Sequence, residues 1–243
     1  MEKQLCSLAA QRMRSEMTEL LSLLPAARRD PALDEPGAYA LDCAALCAYR
    51  CLRDAQNISA WGALHSPPRR PVCVSACAEA FVHAAAAVCP GVRFSYVPPA
   101  SPLWSRTDAQ LFAVCLGNLI RNAALYGPDA PKVSLSLRRC GRFAVLTVSD
   151  PGEGFPLGAG RPLCSMGRCG ERTGLGLGLG LAQRFAAAYG GRFAVRTASR
   201  GGTAAALTLP LCLPGEAAAP PDFAADRFSA VYVQLAGLCR LPL

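Results

Sequence analysis

Three short segments decide how this chain is interpreted: NLIRNA (Asn118–Ala123), DPGEG (Asp150–Gly154) and GLGLGL (Gly174–Leu179). Each offers either polar side chains or a glycine-rich backbone that a ligand can approach closely. They follow one another in a fixed order, between stretches that are predicted to be helices and strands. We therefore expect the three segments to line one nucleotide pocket.

The first segment places two carboxamides on one face of a predicted helix. Asn118 and Asn122 are four residues apart, so they stack along the helix axis. Neutral oxygens suit a hydrated Mg²⁺ that is held jointly with phosphates, because this ion keeps several waters and takes few protein ligands. The alternative, that the two side chains only cap or bridge neighbouring loops, stays open on this pattern alone.

The second segment ends a predicted strand with a carboxylate. Asp150 is followed by a tight turn at Gly152 and Gly154, which leaves its side chain beside bare backbone. A carboxylate in this place can accept a hydrogen bond from an exocyclic amino group such as that of adenine. A plain strand turn is the alternative.

The third segment opens a predicted helix. Free N–H groups and the positive end of the helix dipole at Gly174, Gly176 and Gly178 suit a polyphosphate. Close helix packing would also explain the glycines. The order and spacing of the three segments are more specific than any one of them.

Taken together, the segments resemble the ATP-binding region of sensor histidine kinases, in the superfamily that also holds gyrase, heat-shock chaperone and mismatch-repair ATPases. The resemblance spans about residues 71–211. The matching parts are an asparagine box at 118–127, a first glycine box at 150–155, a second at 174–179, and the glycines at 190–191 and 201–202.

The resemblance implies the ligands, ATP and Mg²⁺, and a role for each matching residue. Asn122 is expected to bind Mg²⁺, Asp150 the adenine amino group, and the backbone of Gly174, Leu175, Gly176, Leu177 and Gly178 the phosphates. The remaining expected nucleotide-binding residues are Asn118, Tyr126, Gly152, Gly154 and Thr203.

Position 118 distinguishes branches of the superfamily. Its hydrolytic members and the anti-sigma-factor kinases usually carry Glu there as a general base, whereas histidine kinases carry Asn. Asn118 therefore favours the phosphorelay branch, and no catalytic residue is assigned. Leu125 replaces a basic residue that usually helps to hold phosphate, and Arg121, Arg168 and Arg172 are the candidates to supply that charge.

The predicted fold is α+β, with an N-terminal antiparallel helical hairpin followed by an α/β two-layer sandwich of the histidine kinase-type ATPase fold. We predict the hairpin at 1–65, the ATP-binding domain at 71–213 and a tail at 214–243, with a proline-rich linker at 65–71. A hairpin has too small a core to stand alone, so we expect a homodimer that forms a four-helix bundle.

The periodicities predict where the elements begin and end. Pro25 is expected to end the first helix, and the apolar segment 228–238 to add a strand or pack on the surface. The predicted helices are 5–24, 38–64, 74–88, 107–125 and 177–189; the predicted strands are 92–97, 132–137, 142–149, 192–197 and 203–209.

Composition bears on partners and location. The net charge is +8, but the basic residues are nearly all arginine and are scattered, so we do not expect nucleic acid as a partner, and a nucleic-acid-binding regulator is the weaker alternative. No window reaches the roughly 18 apolar residues of a membrane span. The start of the chain has no apolar core of signal-peptide length.

The 13 cysteines include no Cys-x-x-Cys pair. Cys43, Cys47 and Cys51 repeat every four residues, as do Cys73 and Cys77, which predicts buried, reduced thiols on helical faces and leaves zinc as a second choice. An odd number of cysteines fits a reducing cytoplasm.

The hairpin weakly resembles the dimerisation and phosphotransfer domain of the same family. When the usual His-Glu-Leu-Arg-x-Pro-Leu is aligned with residues 11–17, Gln11 takes the phosphoacceptor place. Gln cannot accept a phosphoryl group as imidazole does. Because the only histidines, His65 and His83, lie elsewhere, we expect autophosphorylation of the usual kind to be absent.

Two interpretations remain open. In the first, the chain is a nucleotide-dependent dimeric regulator, a pseudokinase that docks a response regulator or another kinase. In the second, it is an active two-component protein kinase that phosphorylates a partner in trans.

Overall fold

The computed structural model describes residues 2–125, 131–152, 154, 176–198, 201–216 and 221–241. Its helices are α1 (Glu2–Arg28), α2 (Glu35–Ala63), α3 (Val74–Val88), α4 (Ala109–Leu125), α5 (Gly178–Ala188) and α6 (Ala230–Gln234). Its strands are β1 (Arg70–Cys73), β2 (Arg93–Val97), β3 (Trp104–Thr107), β4 (Lys132–Cys140), β5 (Phe143–Asp150), β6 (Arg192–Thr197) and β7 (Thr203–Pro210).

Helices α1 and α2 form the predicted antiparallel hairpin. Leu21 and Leu24 of α1 are buried against Tyr49 and Leu52 of α2. The carboxylate of Asp34 caps α2 by accepting a hydrogen bond from the N–H of residue 37 at 2.8 Å. Apolar burial along one face of each helix therefore holds the hairpin together.

The expected break at Pro25 is wrong. Helix α1 continues through Pro25 and ends at Arg28. Pro25 has no N–H, so the helix loses one intrahelical hydrogen bond there. Leu24, beside it, is buried against α2, and this packing holds the last turn in place.

A five-stranded sheet in the order β2-β4-β5-β7-β6 forms one layer of the second part of the structure. Strands β2 and β4 are parallel, and the other neighbours are antiparallel. Burial alternates along β5, where Ala144, Leu146 and Val148 face inward. Helix α4 packs on β4 and β5, and α5 on β6 and β7, which confirms the two-layer α/β arrangement.

A second, two-stranded sheet pairs β1 with β3 and was not predicted. Strand β1 begins inside the stretch interpreted as a linker, where Pro71 argues against a strand. Its partner lies more than 30 residues further along the chain, so local sequence gives little sign of this pairing. The division of the chain at 65, 71 and 213 stays a prediction.

Helix α4 lies at the centre of the structure. Every residue from Phe112 to Arg121 is buried, because the sheet covers one side of the helix and other helices cover the rest. The neighbours on those sides are α2, α3, α5 and α6. The asparagine segment is therefore enclosed by both the hairpin and the α/β layer.

The C-terminal segment 221–241 lies between these two parts. Val231 and Leu235 belong to the core of the α/β layer, while Val233 and Ala236 belong to the core of the hairpin. The expectation of an added strand or of surface packing is wrong, because the segment contains the short helix α6 with both faces covered. A short apolar run does not show its period, so helix and strand could not be told apart.

The cysteine prediction is wrong for most of the residues that it named. Cys77 is buried and Cys73 is partly buried, but Cys43, Cys47 and Cys51 are exposed. The packed face of α2 carries Ala, Leu and Tyr, and the four-residue cysteine repeat falls on the other side of the helix. Among the described cysteines all thiols are free.

None of the helices within the described residues is sufficiently long and apolar for a membrane crossing.

Candidate nucleotide site

The carboxylate of Asp150 is fixed at the end of β5. Asp150 is 7% exposed and lies on the same face of the strand as the inward-facing residues that α4 covers. Its Oδ1 atom accepts hydrogen bonds from the backbone N–H of Gly152 at 2.9 Å and of Thr203 at 3.4 Å. Oδ2 has no such bond to a described residue, so within the described part of the chain the carboxylate is held by one oxygen.

Thr203 is placed by the sheet itself. It stands directly opposite Asp150 in the antiparallel pairing of β5 with β7. The turn after Asp150 is closed by Gly154, whose φ of +93° is a conformation that suits glycine. The predicted residues Asp150, Gly152 and Thr203 are thus brought together, with Gly154 in the adjoining turn.

Asn118 is buried in the middle of α4, at 6% exposure. Its Nδ2 donates to the carbonyl oxygen of Val114 at 2.9 Å and to Oδ1 of Asn57 at 2.8 Å. Asn57, on α2, donates in return to Oδ1 of Asn118 at 3.3 Å. The two carboxamides therefore form a reciprocal pair between the hairpin and the α/β layer.

Asn57 was not predicted as a site residue. It lies on the buried face of α2, as does Arg53 one turn earlier. A polar residue that interrupts an otherwise apolar helical face is the signal that would have identified both.

The second glycine segment meets the asparagine segment. Helix α5 begins at Gly178, and a Cβ atom added there would stand 2.8 Å from Oδ1 of Asn118. Gly176 has a φ of +70°, and the carbonyl of Leu177 accepts the N–H of Leu181 at 2.7 Å, which starts the helix. Backbone and carboxamide approach closely because Gly178 has no side chain.

The predicted magnesium ligand, Asn122, lies one turn beyond Asn118 on α4 and is half-buried. Across the described residues, no three His, Cys, Asp or Glu side chains are grouped closely enough to hold a metal ion. Three of the predicted phosphate- and nucleotide-binding residues, Tyr126, Gly174 and Leu175, lie outside the described residues, as do Arg168 and Arg172.

The residues considered for phosphate acceptance lie on other elements of the structure. Gln11 is exposed on α1, and His83 is exposed on α3. The ring nitrogens of His65 lie 2.9 and 3.0 Å from Nη2 of Arg184, at the end of the hairpin.

The chain is similar to known proteins in its sequence family and in its fold. Residues 107–213 match the family described as "Histidine kinase-, DNA gyrase B-, and HSP90-like ATPase". The mycobacterial sensor histidine kinase MprB has a similar structure, with a TM-score of 0.51 and 22% identity over 59% of this chain and 97% of that chain. No curated protein matches the chain.

A longer structure matches both the hairpin and the α/β layer. Full-length ShkA in complex with AMPPNP superposes with a TM-score of 0.61 and 19% identity over 90% of this chain. This chain spans 47% of that structure's length. At these identities the two structures show the fold, and the family match shows that residues 107–213 are similar to the histidine kinase-, DNA gyrase B- and HSP90-like ATPases.

Proposed function

We propose that the chain is a cytoplasmic signal-transduction protein that binds ATP with Mg²⁺ and uses nucleotide binding to regulate a partner. The carboxylate of Asp150 carries this proposal, because it ends β5 with one oxygen bonded to backbone N–H groups, while the other has no bond to a described residue and would accept from an adenine amino group. Asn122, on the same helix as the buried Asn118, would hold Mg²⁺, which would neutralise phosphate charge.

The backbone of the second glycine segment would meet the phosphates. Within the described residues this part consists of Gly176, Leu177 and Gly178, at the start of the 11-residue helix α5. Gly178 approaches Asn118 closely, so phosphate and metal would share one corner of the site.

The regulatory role rests on position 11. Gln11 has no imidazole to accept a phosphoryl group, although its exposed place on α1 is the one that the resemblance gives to the acceptor. The nucleotide would then act through the conformation of the hairpin, which would dock a response regulator or another kinase.

Nucleotide binding is tested first by titration calorimetry with AMPPNP and Mg²⁺, using the chain and Asp150→Asn. The amide keeps an oxygen for the two backbone N–H groups but points a donor at the adenine amino group. We expect affinity to fall at least about tenfold, the effect of losing roughly one charged hydrogen bond. Failure of the wild-type chain to bind would refute the proposal.

Labelled ATP distinguishes the regulator from the alternative, which is a kinase that phosphorylates a partner in trans. The chain is incubated with Mg²⁺ and labelled ATP, alone and with candidate response regulators. No label on either protein supports the regulator. Label on the partner alone supports the alternative, and acid-labile label on this chain would show that the absence of autophosphorylation was predicted wrongly.

The homodimer through the hairpin is part of the same proposal. Leu8 and Leu23 of α1 are 61% and 63% exposed, which is more than a helix packed only against α2 needs. We expect sedimentation equilibrium to show a dimer that Leu23→Lys weakens. Leu213→Lys, which changes an 85% exposed leucine outside the hairpin, is the matched control.

A further inference from the structure

The hairpin contacts the asparagine segment through a specific hydrogen-bonded pair. Asn57 and Asn118 are 5% and 6% exposed and exchange hydrogen bonds of 2.8 and 3.3 Å. A buried carboxamide that loses its partner is destabilising, so this pair fixes the orientation of the Asn118 side chain. A residue of the hairpin therefore positions a group that the proposed function places beside the nucleotide.

The direction of α2 across this region follows from two sets of contacts. Helix α5 runs antiparallel to α4, because Gly178 lies against Asn118 while Phe185 packs on Phe112 with ring centroids 6.3 Å apart. The start of α5 thus meets the second half of α4, and the later part of α5 meets the beginning of α4.

Helix α2 runs in the same direction as α5. The guanidinium of Arg184, beside Phe185, stacks over the ring of Trp61 at 4.9 Å, one turn after Asn57. Helix α2 is therefore antiparallel to α4. Arg53, one turn before Asn57, lies toward the end of α4 that carries Asn122.

Arg53 is a buried cation with unused hydrogen-bonding capacity. It is 3% exposed, and its Nε and Nη2 atoms bond only to Oδ1 of the neighbouring Asp54, at 3.3 and 3.2 Å. The Nη1 atom is buried and has no hydrogen-bond partner among the described residues. An unsatisfied buried N–H of a charged group is destabilising, and a guanidinium suits a phosphate in geometry and charge.

We propose that α2 supplies part of the nucleotide site. Arg53 binds the terminal phosphate of a nucleoside triphosphate, and Asn57 positions the carboxamide of Asn118. This inference rests on the proposed function, since it needs a nucleotide at Asn118 and Asn122. As a consequence, a bound triphosphate contacts both α2, through Arg53, and α4. A diphosphate lacks the phosphate that Arg53 contacts.

The proposal is tested by comparing AMPPNP with ADP on the full chain. Arg53→Gln keeps a polar side chain of related shape but removes the charge. We expect its affinity for AMPPNP to fall about tenfold or more, with affinity for ADP changed less than about twofold. Arg53→Lys keeps the charge and recovers part of the loss. Asp54→Asn, which removes the only described partner of Arg53, is the control that leaves AMPPNP affinity equal or higher.

Hydrogen exchange gives an independent measurement of whether a bound triphosphate connects α2 to α4. In the wild-type chain, AMPPNP slows amide exchange at residues 50–60 more than ADP does, and Arg53→Gln removes the difference. For Asn57, a double-mutant cycle is used: Asn57→Ala weakens AMPPNP binding in the wild type but has no further effect in Asn118→Ala.

The possible failures are distinct. If the wild type binds neither nucleotide, the proposed function has failed together with this inference. If it binds both and Arg53→Gln lowers the two affinities equally, or leaves both unchanged, only the role of Arg53 is refuted. Thermal unfolding without nucleotide verifies that each variant is folded before titration.

Discussion

Gly202 lies directly against the backbone of Asp150: a Cβ atom added at Gly202 would stand 1.9 Å from the carbonyl oxygen of Asp150. The φ angle of Gly202 is +84°, so both the space and the conformation require glycine. Gly202 therefore allows the turn before β7 to pack against the residue whose carboxylate the proposed adenine contact uses.

Gly202→Ala is expected to destabilise the fold and to weaken nucleotide binding. A left-handed conformation costs a non-glycine residue roughly 1–2 kcal/mol. The clash with a carbonyl oxygen adds a further penalty of about 1–3 kcal/mol, because backbone cannot rotate away as a side chain can. The free energy of unfolding, from urea denaturation, and AMPPNP affinity are the measurements.

Gly201→Ala is the matched control for this prediction. Gly201 also has a positive φ, +82°, but the nearest atom to an added Cβ is 3.9 Å away. It should show the conformational cost alone. Equal losses in both variants would mean that the contact with Asp150 does not hold the turn.

A second glycine allows the C-terminal helix α6 to pack closely on the central helix α4. A Cβ atom added at Gly117 would stand 2.6 Å from Cβ of Gln234 and 3.1 Å from Cζ of Phe81. Gly117→Ala is therefore expected to push α6 away from α4 and to lower the free energy of unfolding by about 1–3 kcal/mol.

Gly62→Ala tests whether this loss comes from the tail contact. Gly62 is also helical, and nothing lies within 4 Å of an added Cβ. Alanine favours the helix by up to about 1 kcal/mol, so this variant should be as stable as the wild type or more stable. If Gly117→Ala behaved in the same way, α6 would not pack on α4 as the structure shows.

Much of the fold was predictable because its signals are local. The apolar repeats of α3 and α4 and the alternation along β5 depend on residues near one another in sequence. The helices and strands of the α/β layer accordingly begin and end within a few residues of their predicted limits.

What could not be predicted depends on distant partners. Strand β1 needs β3, and α6 is a helix with two buried faces only because the hairpin and the α/β layer both cover it. In the candidate site, Asp150 and Thr203 were predicted from motifs, but the pairing of Asn57 with Asn118 joins residues 61 positions apart. No periodicity or motif in the sequence indicates such a contact.

The cysteines provide a test of which face of α2 is exposed. We expect Cys43, Cys47 and Cys51 to react quickly with a maleimide in the native chain, and Cys77 and Cys115 slowly, because the latter are buried. Burial also raises the pKa of the Cys77 thiol to about 11, which lowers its thiolate content at neutral pH.

Labelling is followed by mass spectrometry of peptides, and denatured chain is the control in which all of these thiols react. Fast labelling of Cys115 would contradict the central position of α4. Slow labelling of the three α2 cysteines at high protein concentration, reversed on dilution, would place them in the interface of the proposed dimer.

Tyr49 links the hairpin to the C-terminal tail and makes the free energy of unfolding depend on pH in the alkaline range. Its hydroxyl donates to the carbonyl oxygen of Arg227 at 3.1 Å, and burial raises its pKa from 10 to about 12. Between these pH values the unfolded chain has released a proton that the folded chain retains. Stability from this group is therefore complete below pH 10 and is lost as the pH rises from 10 to 12.

Phenylalanine cannot titrate, so the free energy of unfolding of Tyr49→Phe should fall less steeply with pH over this interval. The slopes of wild type and variant should differ by up to roughly 1.4 kcal/mol per pH unit. At neutral pH it should lose only about 1 kcal/mol for the missing hydrogen bond. Some slope will remain in the variant, because burial also raises the pKa of Tyr96 and Tyr189 to about 12. Urea unfolding at pH 8 to 12 measures both effects, and parallel curves for wild type and variant would show that the Tyr49 hydroxyl is not buried between the hairpin and the tail.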